Sequence, residues 1–146
     1  MSKNSLAFAV KAGLAGAAAV AAVLAVSVPA SAGEAGVGAT VTPSTGLADG
    51  ATVSVAVSGF GAGQNVFVTE CAGAAATLVC NVDGISQLTT DAAGAGSTTT
   101  KVAKSFQGKD QSGKPVTVDC TTVAGGCLIG ASNEAQERAT AAISFA

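Results

Sequence analysis

The sequence predicts an all-β protein, an antiparallel sandwich of immunoglobulin type. Three observations carry this. Short runs rich in Val and Thr alternate with a period of two, and helical periodicity is nearly absent beyond the first 32 residues. Turn signals separate almost all of the runs. Four cysteines fall in two short-range pairs, Cys71 with Cys80 and Cys120 with Cys127, behind a segment with the features of a signal peptide.

That segment comes first. Lys3 and Lys11 flank its start, an Ala/Val/Leu run follows from Ala12 to Val28, and Pro29 leads into Ala30-Ser31-Ala32, an A-x-A cleavage site. A membrane anchor is the alternative, but the run is rich in Ala and Gly and lacks a basic stop-transfer flank. Residues 1–32 are therefore expected to be removed on secretion, leaving 33–146 as one extracellular domain without a membrane attachment.

Thr52 to Ser58 places Val53, Val55 and Val57 on one face and hydroxyls on the other. Asn65 to Cys71 sets Val66, Val68 and Glu70 against Phe67, Thr69 and Cys71. Further runs are Ala39–Pro43, Ile85–Thr89, Ser97–Ala103, Val116–Cys120, Cys127–Ser132 and Thr140–Phe145. Asp49-Gly50, Gly59 to Gly63, Asp83-Gly84, Ala93-Gly94, Ser112-Gly113 and Gly125-Gly126 mark the turns. Gly59, Gly61 and Gly63 form a loose G-x-G-x-G, but no helical pattern follows to present a phosphate site, so a turn explains them. With no Trp and no Tyr, the core falls to aliphatic residues and to Phe60, Phe67, Phe106 and Phe145.

In an oxidising compartment, four cysteines at these spacings read as two disulfides rather than a metal or thiol site. Three pairings exist, and the close spacings fit local bridges across a hairpin or loop. Each such loop contributes about 2.5–3 kcal/mol by chain entropy.

Catalysis is excluded by what is missing. There is no histidine, so no Ser-His-Asp or Cys-His arrangement can form. Oxidised cysteines offer neither a nucleophile nor a zinc ligand, and no pair of carboxylates forms a motif. No enzyme, no catalytic residues and no metal are expected. Residues 33–146 carry five cations (Lys101, Lys104, Lys109, Lys114, Arg138) against nine anions, a net charge of −4. That disfavours direct nucleic-acid binding. Lys101 to Lys114 holds four of the cations and reads as a solvated strand and loop. What remains is binding in a concavity, and the apolar segments Cys71–Cys80 and Cys127–Ser132 are the candidates to line it.

At these residues the chain resembles the neocarzinostatin/macromomycin family of enediyne antibiotic apoproteins. The matching stretches are Ala39 to Gly50, Cys71-Ala72, Cys80-Asn81, Lys104 to Gly108, Val118 to Thr122 and Ala142 to Phe145. Gly125-Gly126-Cys127 is most similar to the kedarcidin branch. The resemblance implies a seven-stranded immunoglobulin-like sandwich with disulfides Cys71–Cys80 and Cys120–Cys127. It implies a monomeric secreted carrier, with no cofactor beyond a non-covalent enediyne-type chromophore and with DNA as a partner only through the released cargo.

By the same resemblance the ligand-lining positions are Cys71, Gly73, Leu78, Cys80, Ile85, Leu128, Gly130 and Ser132, with Ser132 a hydroxyl anchor. The family has tryptophan where this chain has Gly73, phenylalanine at Ile85, glutamine at Leu128, and an aromatic in the segment spanned here by Lys109 to Lys114. Such a cleft suits a less aromatic cargo. A cargo-free extracellular immunoglobulin-like binding module is the alternative.

Overall fold

A computed structural model describes residues 36–146, so the signal peptide and cleavage site expected from the sequence lie outside the described residues. Ten strands form in chain order: β1 Gly38–Thr42, β2 Thr52–Ser58, β3 Asn65–Ala72, β4 Val79–Asn81, β5 Ser86–Thr89, β6 Gly96–Lys101, β7 Ser105–Lys109, β8 Pro115–Asp119, β9 Cys127–Ser132 and β10 Arg138–Ile143. A single 3-10 turn, Ala75–Thr77, sits between β3 and β4.

The strands make two sheets. The smaller has the order β1-β2-β6, and the larger runs β10-β9-β3-β4-β7-β8, with β5 also on β3. Every ladder is antiparallel. β4 and β5 lie end to end along one edge of β3, pairing with Cys71-Ala72 and with Asn65–Val68 respectively. Counted as one interrupted strand, with the β7–β8 hairpin an added ribbon, they complete a seven-stranded immunoglobulin-like frame.

Alternation decides which residues meet between the sheets. β2 buries Val53, Val55 and Val57 and exposes the residues between them. They face Val66 and Val68 of β3 and Ile129 and Ala131 of β9, with Phe60, Leu88, Phe106, Val118 and Ile143 closing the core. Burying each of the larger side chains stabilises by about 1.5–3 kcal/mol.

Two strands go beyond the sequence reading. β4 has three residues, too few to show a period. β7 does alternate, but its inward positions are Phe106 and Gly108, and glycine leaves no apolar mark. The glycine is needed there: a Cβ at Gly108 would lie 2.4 Å from Val79 Cγ1 and 2.9 Å from the Cys80 carbonyl oxygen, so the ribbon can pair with β4 only without one. Of the four phenylalanines among the described residues, Phe60 and Phe106 are buried and Phe145 packs at the core's edge. Phe67 departs from expectation: it is 37% exposed, on the face of β3 opposite Val66 and Val68.

Both disulfides are local. Cys71–Cys80 joins directly paired residues of β3 and β4, and Cys120–Cys127 joins the end of β8 to the start of β9. Beside the second lies Glu70, only 1% exposed. Its Oε2 accepts the Ala103 N–H at 2.9 Å, and its Oε1 lies 3.7 Å from Cys120 Sγ. These three groups come close enough to suggest a metal site, but both sulfurs are bonded to each other and only the carboxylate could ligate.

Burial raises the Glu70 pKa above its ordinary 4.5, the Ala103 hydrogen bond opposes this, and the Asp49 charge adds to the rise. A carboxyl with a raised native pKa binds its proton more tightly folded than unfolded. Its stabilising contribution is therefore complete below pH 4.5 and is lost as pH rises through the native value. Glu70→Gln keeps an acceptor for Ala103 and removes the buried charge. It should melt a few °C above the wild type at pH 7, with the gap closing by pH 3.5, in thermal scans. An equal gap at both pH values would contradict the assignment.

Candidate functional site

Inward placement of Val66, Val68 and Glu70 forces Phe67, Thr69 and Cys71 onto the outer face of the larger sheet. The register continues that face across the neighbouring strands. Cys71 lies opposite Leu128 and Cys80, Thr69 opposite Gly130, and Phe67 opposite Ser132. On β10, Arg138 pairs with Ser132, Thr140 with Gly130 and Ala142 with Leu128.

Among the described residues, cavities of about 390, 280 and 190 Å³ open at the surface. The smallest lies on this outer face. Its walls include Thr69, Cys71, Leu78, Cys80, Gly130 and Ser132, with Arg138 and Thr140 at one side. Gly130 has no side chain, so the cavity reaches down to the Cys71–Cys80 disulfide, of which Cys71 is buried and Cys80 half-buried. A Cβ at Gly130 would sit 3.7 Å from Cys71 Sγ, an ordinary contact. The Thr69 hydroxyl donates to the Asn81 carbonyl at 2.7 Å, which fixes the wall to β4. No carboxylate faces this cavity, so the surface offered is apolar with hydroxyls and one guanidinium.

Cys71, Leu78, Cys80, Gly130 and Ser132, named from the sequence, are thus brought together. Leu128 faces the same side, opposite Cys71, beyond the cavity wall. Gly73 lies elsewhere: with Ala72, Val79, Val118 and Val123 it lines the cavity of about 390 Å³ between the first disulfide hairpin and the loop of the second. Its φ is +97°, a conformation that strains any side chain, and a Cβ there would lie 3.1 Å from the Thr77 carbonyl oxygen, so the hairpin would have to shift slightly to take one. Ile85 is 54% exposed in the connection between β4 and β5.

Phe67 lies on the same face opposite Ser132, outside the cavity's lining, and Thr69, Arg138 and Thr140 line it; none is named as a site residue by the sequence reading. For the first two, the alternation with Val66 and Val68 carries the signal. Arg138 has none, because the alternating run of the last strand begins at Thr140.

The tip of the β7–β8 ribbon closes on the disulfide hairpin through polar groups. The Gln111 side-chain amide donates to the Ala76 carbonyl, and with Thr77, Asp110 and Ser112 it borders the cavity of about 280 Å³. Asp110 holds the tip's shape, accepting from the Ser112 hydroxyl at 2.6 Å and from the Ser112 and Lys114 N–H groups at 2.9 Å. Those hydrogen bonds, the Ser112 hydroxyl foremost, keep its carboxyl below the ordinary range.

The sequence profile of the Neocarzinostatin family matches residues 39–145. The chain belongs to the neocarzinostatin family. It is 41% identical over 106 residues to the antitumor antibiotic C-1027 apoprotein of Streptomyces globisporus, covering 72% of this chain and 73% of that protein. It is 37% identical over 149 residues to macromomycin of Streptomyces macromomyceticus, covering all of both. Among solved structures, macromomycin superposes with a TM-score of 0.67 at 37% identity, covering 75% of this chain and 99% of that one. The solution conformation of apokedarcidin gives a TM-score of 0.62 at 39% identity, covering 77% and 100%. This neocarzinostatin-family sandwich and its local disulfides are the architecture the sequence predicts.

Proposed function

We propose that this chain is a secreted apoprotein carrier that holds a small apolar, enediyne-type antibiotic chromophore on the outer face of its larger sheet. The observation that carries the reading is the cavity floored by the Cys71–Cys80 disulfide and Gly130. It lies in a chain whose relatives are named as an antibiotic apoprotein and as apokedarcidin. Such proteins are carriers, not enzymes. Drug-sized ligands occupy about 300–1,000 Å³, so a cavity of about 190 Å³ takes one ring system of the cargo. The remainder lies along the sheet toward Phe67 and the ribbon.

Protection follows from the same surface. Apolar walls exclude water from a reactive ring, and a site without carboxylates or imidazole presents no general base to it. The acidic polypeptide gives DNA little to bind, so DNA is reached by the released cargo. No helix of the described residues is long and apolar enough to cross a membrane, and we place the protein outside the cell as a monomer. Native mass spectrometry of protein purified in the dark from its own culture supernatant tests this. A mass above that of the polypeptide, returning to the bare chain after solvent extraction, is expected. A bare mass in every gentle preparation would favour the cargo-free module, to which Gly73 and Ile85, in place of the family's aromatics, also point.

A further inference from the structure

The Cys71–Cys80 hairpin is a wall shared by two cavities. Cys71, Leu78 and Cys80 border the outer-face cavity, whereas Ala72, Gly73, Thr77 and Val79 border the one of about 390 Å³. The opposite wall of the larger cavity is β8, with Val116 and Val118, and the loop of the second disulfide, with Val123. The two disulfide loops touch where the Gly73 N–H donates to the Gly126 carbonyl at 3.3 Å. A cavity of this volume falls within the range of about 300–1,000 Å³ for small-molecule sites, and it shares no lining residue with the outer-face cavity. No aromatic residue lines it, so its valines and alanines suit a compact aliphatic body.

Its rim is a set of acceptors. Asp119 is the only ionisable side chain in the lining. Its Oδ1 accepts the Thr121 hydroxyl at 2.6 Å and the Thr121 N–H at 2.9 Å. Those bonds, the hydroxyl foremost, keep the carboxyl below its ordinary range, and they leave Oδ2 unused. Lys104 also acts on this charge, but its ammonium donates to the Ala146 carbonyl at 2.7 Å. The main chain of β8 adds to the rim. The Asp110 N–H donates to the Lys114 carbonyl at 3.0 Å, and the Cys120 N–H to the Lys104 carbonyl at 2.9 Å. By that alternation Val116 and Val118 bond to β7, and Thr117 turns its N–H and C=O to the free edge of the sheet. The Thr117 hydroxyl is taken by the Gln107 amide at 2.6 Å.

We infer that this is a second small-molecule site, which takes an aliphatic ligand bearing a primary ammonium. The apolar body lies against Ala72, Val79, Val118 and Val123, and the ammonium on the Asp119 carboxylate, with the Thr117 carbonyl as second acceptor. An ammonium has three donors and no acceptor, which matches a rim of this kind. The site stands whether or not the outer-face cavity holds cargo.

Three probes with one rigid body separate shape from charge: 1-adamantanemethylamine, 1-adamantanemethanol and 1-adamantanecarboxylate. Each is titrated at pH 7 and low ionic strength into nitrogen-15-labelled protein and followed by amide chemical shifts. The amine should bind about three- to fivefold more tightly than the alcohol, and the carboxylate more weakly than either. Added salt should narrow that spread. The shifts should centre on Gly73, Val79, Thr117 and Val123 and spare Gly130 and Ser132. Asp119→Asn keeps an acceptor for Thr121 and should bring the amine to the affinity of the alcohol. Ala124→Phe, at an exposed position of the wall, should weaken amine and alcohol alike by about 10-fold or more. Gly130→Leu, which fills the other cavity, should change neither. Shifts centred on Gly130 and Ser132, an amine preference that survives Asp119→Asn, or a carboxylate that binds as tightly as the amine would each overturn the inference. So would failure of both amine and alcohol to bind at millimolar concentration.

Discussion

Gly94→Ala should leave little folded protein at 25 °C. Gly94 is buried with φ at +73°, and a Cβ there would lie 1.9 Å from the Phe60 carbonyl oxygen and 2.9 Å from its carbon. Both are backbone atoms and cannot swing aside. The contact is structural, because the Phe60 N–H donates to the Gly94 carbonyl at 3.2 Å, docking the β5–β6 turn onto the residue that closes the core. The turn cannot retreat cheaply either, since Asp91 Oδ1 accepts the N–H groups of Ala93 at 2.8 Å and Ala95 at 3.0 Å. A loss above about 4 kcal/mol is expected. Gly50 is the control: its φ is +72°, but nothing lies within 4 Å of its Cβ position. Gly50→Ala should cost only about 1 kcal/mol, the conformational contribution alone. Urea unfolding of the pair measures the difference. Similar losses at both positions would show that φ, and not the Phe60 contact, sets the cost.

Removing the first disulfide should have the second large effect, and on two properties at once. Cys71→Ser with Cys80→Ser should lower stability by about 2–5 kcal/mol and abolish ligand binding, because the bridge is the cavity floor. Cys120→Ser with Cys127→Ser should lower stability by a similar amount. Ligand binding should survive it in whatever fraction folds, since Cys127 and Glu70 face the core side of the sheet. Urea titration and native mass spectra of both double variants separate the roles. Equal loss of binding in the two would mean that the floor is not the first disulfide.

Much of this architecture is legible in the sequence where alternation is carried by apolar side chains. β2 shows it in full, because Val53, Val55 and Val57 mark one face without interruption. β7 does not, because the inward residue that lets it approach β4 is Gly108, which a hydrophobic period cannot register. The site is readable in part for the same reason. Cys71, Leu78, Cys80, Gly130 and Ser132 come from the family resemblance and meet around one cavity. Residue type alone assigns Phe67 to the core, although its own neighbours Val66 and Val68 place it outside. Arg138 enters the cavity through the pairing of β9 with β10, a register that no local pattern displays.

The central claim, that a small molecule is held against the floor of the outer-face cavity, is tested most directly by filling that floor. At Gly130 a Cβ meets only ordinary contacts, 3.7 Å to Cys71 Sγ and 3.9 Å to the Thr69 carbonyl oxygen, and φ is not in the left-handed region. Gly130→Leu should therefore fold with a melting temperature at or above that of the wild type, leucine being the better strand residue. Native mass spectra of the secreted wild type and Gly130→Leu, prepared side by side in the dark, should show cargo on the first and a bare polypeptide on the second. Cargo retained on a folded Gly130→Leu protein at the wild-type stoichiometry would contradict the account.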